Sequence, residues 1–248
     1  MRLLSLAMTT GLVLLLGLSD SILATTVEKK SFKDLVLQAE MVAVGRVGQV
    51  ESYPTFDQQY AYTYVTVGEL EVLKGTYRQS TIRLRMDGGP LGDGKTLVVV
   101  GIPRFRPGEK VVLFVKGNGH HICPLLGWEQ GLLQVIKDPS SGREILKTSR
   151  SLSIRAIEKG EFVVNSAADH NQAKVSAGVA DYGQVQKLSR EDATRASIAL
   201  TLDELRRQVR ILLTQAGPKG LPEVEVRSAE IRLDSPEPRK AKQLRWRN

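Results

Sequence analysis

The sequence predicts a mainly β fold: a small barrel or sandwich of about six strands, with a short N-terminal helix and a separate C-terminal helix. Two observations lead to this prediction. Residues 41–148 contain closely spaced, Val-rich or alternating segments divided by Gly, Pro and Asp turns. The two helix-capping sequences that open an apolar helical stripe, at Ser31 and Thr201, lie on either side of that region.

The N-terminal helix begins at Ser31, whose hydroxyl can cap free backbone N–H groups, with Asp34 at the position of a capping-box acid. One face of this helix is apolar, formed by Phe32, Leu35, Val36 and Ala39. We therefore expect a helix of two to three turns.

The longest predicted strand runs from Tyr60 to Lys74, after an opening strand over Met41 to Val50. Its apolar residues change parity after Gly68, so a one-residue bulge there is expected. The bulge would return four apolar side chains to one face: Val65, Val67, Leu70 and Val72. A long, bent strand of this kind suits a small closed barrel.

Five further segments complete the predicted sheet. Thr81 to Met86 alternates, with Ile82, Leu84 and Met86 inward and Arg83 and Arg85 outward. Thr96 to Gly101 and Lys110 to Lys116 are almost wholly apolar, which predicts strands buried on both faces. Leu132 to Lys137 and Glu144 to Thr148 form a predicted hairpin.

The predicted domain organisation has five parts. Residues 1–24 are a signal peptide, residues 25–150 the barrel domain, and residues 151–198, poor in large apolar side chains, a loosely ordered linker. Residues 199–217 are an amphipathic helix that begins with a capping box at Thr201 and must dock its apolar stripe on something. Residues 218–248 are a basic, Pro-containing tail with a short alternating piece, Val224 to Leu233.

The N-terminus has the pattern of a secretory signal. Arg2 precedes the apolar run Leu12 to Leu18, and Ala24 offers a small residue for cleavage. The run is too short to span a bilayer, which needs about 20 apolar residues, although an uncleaved anchor is the alternative. We expect a secreted or periplasmic chain without a transmembrane span, and its single cysteine, Cys123, excludes an internal disulfide.

The chain is basic, with a formal net charge of +8. Part of the excess lies after Pro236. A positive field favours anionic partners, which for an exported protein include envelope polymers and lipid headgroups. A solvated tail without a partner is the alternative interpretation.

Two motifs invite a chemical interpretation. Gly89 to Thr96 spells a phosphate-binding loop, but the β-branched residues after it predict a strand where a helix is required, so we expect a hairpin loop and no nucleotide. On a strand His121 and Cys123 would share a face and His120 would oppose it, so this group lacks the three or four convergent ligands of a metal site. A thiol and an imidazole two residues apart on one strand are also poorly placed for proton transfer. No complete catalytic site, cofactor site or metal site is predicted.

A row of tyrosines is the strongest candidate binding site. Tyr60, Tyr62 and Tyr64 share one face of the longest strand, and Arg83 and Arg85 flank them if the next strand pairs with it. Barrel faces of this composition stack sugars or bases. The alternatives are that the C-terminal helix covers the rings as a second small core, or that they are simply exposed.

Residues 41–148 resemble the OB-type barrel of netrin-like modules and tissue inhibitors of metalloproteinases. The resemblance is carried by Met41 to Val47, Glu71 to Gly75, Thr81 to Leu84 and Gly127 to Leu133. With Gly101 to Glu109 added, the chain is also similar to uncharacterised exported bacterial proteins. In the inhibitors an N-terminal Cys chelates the protease zinc, whereas the expected mature N-terminus here is Thr25.

Together these observations predict an exported, non-enzymatic binding module with an OB-like barrel. Its partner would be another exported protein or an anionic envelope polymer. Two alternatives remain open: a regulator of an exported metalloprotease, as the resemblance implies, and a hydrolase whose site the sequence does not reveal.

Overall fold

The computed structural model describes residues 27–92, 94–164, 199–217, 225–234 and 245–247. The predicted signal peptide, residues 1–24, lies outside them. The elements follow in the order α1 (Phe32–Gln38), β1 (Met41–Pro54), β2 (Ala61–Lys74), β3 (Ile82–Asp87), β4 (Gly89–Pro90), β5 (Thr96–Val98), β6 (Lys110–Val115), a 3₁₀ helix (Trp128–Gly131), β7 (Leu132–Lys137), β8 (Glu144–Thr148), β9 (Ile154–Glu158), β10 (Glu161–Val164), α2 (Leu202–Ala216) and β11 (Arg245–Arg247). The mainly β prediction is confirmed.

The centre of the fold is a six-stranded antiparallel sheet in the order β3-β2-β1-β6-β7-β8. The predicted bulge in β2 is present: the pairing with β1 shifts between Val44 opposite Glu71 and Arg46 opposite Gly68. Glu69, in the bulge, has a left-handed φ of 52°. As predicted, Val65 and Val67 before the bulge and Leu70 and Val72 after it contribute to one apolar cluster.

The sheet buries apolar side chains on both faces. One cluster combines side chains of β1, β2, β3, β6 and β7 with Val226 from near the C-terminus. The other lies on the opposite face, where Val44, Phe114 and Leu133 meet both helices. Because β1 and β6 contribute to both clusters, their continuous apolar runs are explained by burial on two sides.

Both helices have the caps that the sequence predicts. The Ser31 hydroxyl accepts a 2.9 Å hydrogen bond from the Asp34 amide, and the Thr201 hydroxyl accepts one of 3.2 Å from the Glu204 amide. The predicted C-terminal helix is present as α2, and its stripe is docked as expected. The side chains of Leu202, Leu205 and Val209 are buried with α1 in the second cluster, because an amphipathic stripe needs an apolar surface to cover it.

Two other predictions need correction. Residues 151–198 are not wholly a loose linker, since β9 and β10 form a hairpin over Ile154–Val164; residues 165–198 lie outside the described residues. The strand expected from Thr96 to Gly101 ends at Val98, and Val100 is 74% exposed. Gly101, with φ of 90°, turns the chain there.

The segment from Gly89 to Thr96 has the sequence pattern of a phosphate-binding loop. In the structure β4 and β5 pair with each other there. Gly89 lies opposite Leu97 and Pro90 opposite Thr96 in an antiparallel hairpin. A strand, β5, therefore follows Lys95 where a phosphate-binding loop requires a helix. The predicted hairpin is confirmed.

The predicted tail contributes to the fold in two places. Residues 225–234, hereafter the C-terminal strap, run along β3, where the Ala229 amide donates a 2.8 Å hydrogen bond to the Arg83 carbonyl. β11 pairs antiparallel with β5. Among the described residues no helix is long and apolar enough to cross a membrane.

Candidate functional site

The predicted tyrosine–arginine face, comprising Tyr60, Tyr62, Tyr64, Arg83 and Arg85, is assembled by the pairing of β2 with β3. Tyr64 lies opposite Arg85, and the Arg85 guanidinium lies 4.8 Å from the centre of the Tyr62 ring. The rings of Tyr60 and Tyr62 are 5.2 Å apart, and those of Tyr62 and Tyr64 are 6.4 Å apart. The predicted juxtaposition of tyrosines and arginines is therefore confirmed.

This face is not open to solvent. Tyr60, Tyr62 and Tyr64 are 9%, 3% and 1% exposed, and Arg85 is 7% exposed. Of the alternatives left open by the sequence, a covered second small core is the one observed, and the rings pack there with Leu97 of β5. The cover is not the predicted one, because α2 packs with α1 over another part of the sheet.

The C-terminal strap covers the face at Tyr64. The Tyr64 hydroxyl accepts a 2.9 Å hydrogen bond from the Arg232 amide and donates one of 3.1 Å to the Arg232 carbonyl. At the other end of the row, the Tyr60 hydroxyl donates a 2.7 Å bond to Asp87. These phenol groups have the partners that buried tyrosines require.

The two arginines of this face lack hydrogen-bond partners for several of their nitrogen atoms. Nε and Nη2 of Arg85 and Nε of Arg83 are buried and have no hydrogen-bond partner within the described part of the chain. Buried polar groups are nearly always paired, and charged groups most of all. These unpaired nitrogens are therefore a feature that the fold alone does not explain.

A second site is open to solvent and centres on Trp128. We call it the tryptophan cavity: a space of about 580 Å³ lined by Lys30, Gln38, Lys116, His120, His121, Ile122, Cys123, Leu125, Leu126, Gly127 and Trp128. A neighbouring cavity of about 470 Å³ shares Lys30, Gly127 and Trp128 with it. Trp128, which is partly buried against the main apolar cluster, thus lines both cavities.

The backbone at Trp128 is strained. Its φ is 57°, a left-handed value that bulky residues rarely adopt, and it follows Gly127 at φ 66°. Such a conformation costs about 1–3 kcal/mol and persists only where the surroundings enforce it. Gly101 leaves room for the ring in this position, because a Cβ there would lie 3.0 Å from the indole.

The tryptophan cavity is electropositive. Its lining includes two lysines and two histidines but no aspartate or glutamate. Lys116 forms no salt bridge with any described residue, whereas Lys30 pairs with the exposed Glu28 at 2.5 Å. The cavity can therefore offer a cation and an aromatic face to the same ligand.

The charge of Lys116 also affects a buried lysine. Lys74 donates hydrogen bonds to the carbonyl groups of Val36, Leu37 and Ala39 at the end of α1. Burial, assisted by the positive charge of Lys116, lowers the pKa of Lys74 to about 8. Positive charge is thus concentrated where the end of α1 meets the tryptophan cavity.

Nucleophilic chemistry is not supported at this cavity. Burial raises the pKa of the Cys123 thiol to about 12, so the reactive thiolate is scarce at neutral pH. His120 and His121 are exposed. No group of three or more His, Cys, Asp or Glu side chains is placed to hold a metal ion among the described residues.

Sequence reasoning missed Trp128 as a site residue. Local pattern identified Gly127 and Trp128 only as part of a resemblance, since neither strand alternation nor helical periodicity applies to a 3₁₀ turn. The residue that could have indicated the site is Gly101, which is distant in sequence and whose missing Cβ makes room for the indole. That relation is visible only in three dimensions.

Comparison with known proteins gives no assignment. No protein-family model matches this chain, and neither the curated proteins nor the solved structures include a match to it.

Proposed function

We propose that this protein is an exported, non-enzymatic binding module that holds an anionic envelope polymer in the tryptophan cavity. The observation that carries the proposal is a strained Trp128 that lines the same cavity as Lys116, which forms no salt bridge with any described residue, in a lining without acidic side chains. Tryptophan and cations together suit a ligand with both apolar faces and negative charge, such as an acidic polysaccharide. The buried tyrosine–arginine face does not offer such an open surface.

Export belongs to the proposal and rests on the N-terminal sequence. Cleavage near Ala24 would leave Thr25 as the first residue, two positions before the described residues begin. Expression in a bacterial host followed by mass measurement of the exported product tests it. Retention of Met1 in the cell-associated product would contradict it.

An OB-like barrel is the second part of the proposal. The edge strand β3 contacts the loop after β6: the Asp87 amide donates a 2.8 Å hydrogen bond to Ile122, and the Asn118 side chain bonds to the backbone at Arg83 and Arg85. These bonds bring one edge of the sheet close to its centre, as curling toward a barrel requires. The apolar cluster shared by five strands would then be the barrel interior.

Titration of the mature chain with polygalacturonate, an acidic polysaccharide, and with neutral dextran tests the binding proposal. We expect saturable binding of the acidic polymer that weakens as salt is raised from about 0.05 M to about 0.5 M, because salt screens exposed charges. Trp128→Leu should weaken binding by about tenfold or more, as truncation of a central tryptophan commonly does. Lys116→Gln should weaken it less and reduce the salt dependence.

Phe56→Leu is the matched control, because Phe56 is 85% exposed and lies outside the cavity. It should bind the polymer as the unmodified chain does. Equal binding by Trp128→Leu and the unmodified chain would overturn the assignment of the site. Absence of binding to any anionic polymer, with capture of an exported protein instead, would favour the protein-partner alternative.

A further inference from the structure

The cavity next to the tryptophan cavity has an apolar interior, and we call it the apolar cavity. Its volume of about 470 Å³ is within the range of pockets that take small organic ligands. The most buried part of its lining consists of Leu35 of α1 with Leu132 and Leu133 of β7, which are 1%, 1% and 2% exposed. Phe162 and Val164 of β10 extend the apolar lining from there.

Hydrogen bonds and ring packing hold the walls of the apolar cavity in place. The side chain of Gln130 accepts a 2.8 Å hydrogen bond from the Lys30 amide and donates one of 3.0 Å to the Glu28 carbonyl, which fixes the N-terminal segment at one wall. At another wall the ring of Phe162 packs against that of Phe32 in α1, with ring centres 5.1 Å apart. The apolar cavity is therefore formed by the fold itself, as ligand pockets usually are.

The apolar cavity adjoins the tryptophan cavity. Lys30, Gly127 and Trp128 belong to the linings of both. A ligand that contacts Trp128 can therefore extend into either cavity.

The two cavities differ in charge. The acidic side chains that line the apolar cavity are paired with basic ones, Glu161 with Lys29 at 3.4 Å and Glu129 with Arg150 at 2.7 Å. The lining of the tryptophan cavity contains no acidic side chain, and Lys116 there forms no salt bridge with any described residue. A ligand complementary to both cavities has an apolar chain with a negative charge at one end.

We propose that the two cavities together bind an anionic lipid of the envelope, with one acyl chain in the apolar cavity and the negatively charged head group in the tryptophan cavity. The inference rests on the proposed function, since the head group lies where the anionic polymer is proposed to bind, and it makes that polymer lipid-linked. Burial of the acyl chain removes apolar surface from water and supplies most of the affinity. The cations of the tryptophan cavity select the head group.

Isothermal titration calorimetry of the mature chain with octanoate, decanoate and dodecanoate, each below its critical micelle concentration, tests the proposal. We expect each added methylene to tighten binding by about fourfold, the factor for one CH₂ group moved from water into an apolar site. Primary alcohols of the same chain lengths are the uncharged controls and should bind roughly two- to fivefold more weakly, as the loss of an exposed ion pair predicts. Polygalacturonate, titrated in parallel, reports on the tryptophan cavity alone.

Two chain variants test where the acyl chain lies. Val164→Ser places a hydroxyl in the apolar cavity and should weaken dodecanoate binding by about fivefold, since a partly exposed valine contributes only part of its transfer free energy. It should not alter polygalacturonate binding. Val50→Ser is the matched control, because Val50 is 37% exposed where Val164 is 40% exposed, and it lines neither cavity.

Three results would overturn the proposal. Affinity that does not rise with chain length would contradict the acyl site, and polygalacturonate that still bound would leave the proposed function standing. Equal dodecanoate binding by Val164→Ser and the unmodified chain would place the acyl chain elsewhere. Alcohols that bind as tightly as the carboxylates would contradict the anionic head group. Conversely, chain-length-dependent binding of the carboxylates without binding of polygalacturonate would support the lipid site and contradict the polysaccharide part of the proposed function.

Discussion

The two aromatic regions of this protein differ in how they relate to the sequence. The tyrosine–arginine face lies on two regular strands, and its members were identified by alternation, yet it is buried beneath a segment from near the C-terminus. The tryptophan cavity was not identified, yet it is open and electropositive. The comparison teaches that strand periodicity reports which side chains share a face but not whether anything covers them.

The largest expected effect is a loss of stability when a tyrosine ring is removed. It tests whether the tyrosines form a core or a binding surface. Tyr64→Ala should reduce the free energy of unfolding by about 3–5 kcal/mol, because it empties a fully buried aromatic site. Urea unfolding of the purified chain measures this change. Tyr64→Phe is the control: it retains the ring, loses both hydrogen bonds to Arg232, and should cost only about 1 kcal/mol.

A loss below about 1 kcal/mol for Tyr64→Ala would mean that the ring is not core in solution. The tyrosine–arginine face would then be open to solvent and would again be a candidate binding surface.

An intermediate effect is expected where the backbone supports the tryptophan cavity. Gly101→Ala should destabilise the chain by about 1–3 kcal/mol, because Gly101 has φ of 90° and a new Cβ would meet the indole. It should also weaken polymer binding by displacing the ring. Thermal unfolding and the polymer titration together measure both consequences.

Gly108→Ala is the matched control for this change. Gly108 has a similar φ of 86°, but a Cβ there would meet nothing within 4 Å. It should destabilise the chain through the backbone strain alone and leave polymer binding unchanged. Equal loss of binding in both variants would indicate that general destabilisation, rather than the indole position, controls the cavity.

The smallest effect concerns the pH dependence of stability near the tryptophan cavity. The folded chain releases the Lys74 proton near pH 8, whereas the unfolded chain holds it until about 10.5. Between these values the unfolded state binds more protons, so the free energy of unfolding should rise with pH. Lys74→Met, measured by urea unfolding across the same range, should lack that contribution to the slope.

Lys116→Gln gives a second measure of the same coupling. It removes the neighbouring positive charge, so the pKa of Lys74 should move back toward its ordinary value and the rise should begin at higher pH. An unchanged pH profile in both variants would contradict the coupling between the end of α1 and the cavity.

Much of the local structure followed from local pattern. The caps at Ser31 and Thr201, the alternation of β3 and the bulge after Gly68 all depend on residues within a few positions of each other. The β9–β10 hairpin was missed because its strands are short and their side chains only partly buried, so alternation is weak. Local signals were sufficient only where burial was strong.

The amino-acid sequence alone was enough to predict both helices, most of the strands and which of their side chains point the same way, because capping bonds and alternation act over short distances. Tertiary structure decided which surface is covered and which is open. The Tyr64 hydroxyl meets Arg232 across 168 positions, and the Trp128 indole fits against Gly101, a contact that no window of sequence contains. Such contacts depend on how the whole chain packs, since burial is a property of the assembled surface.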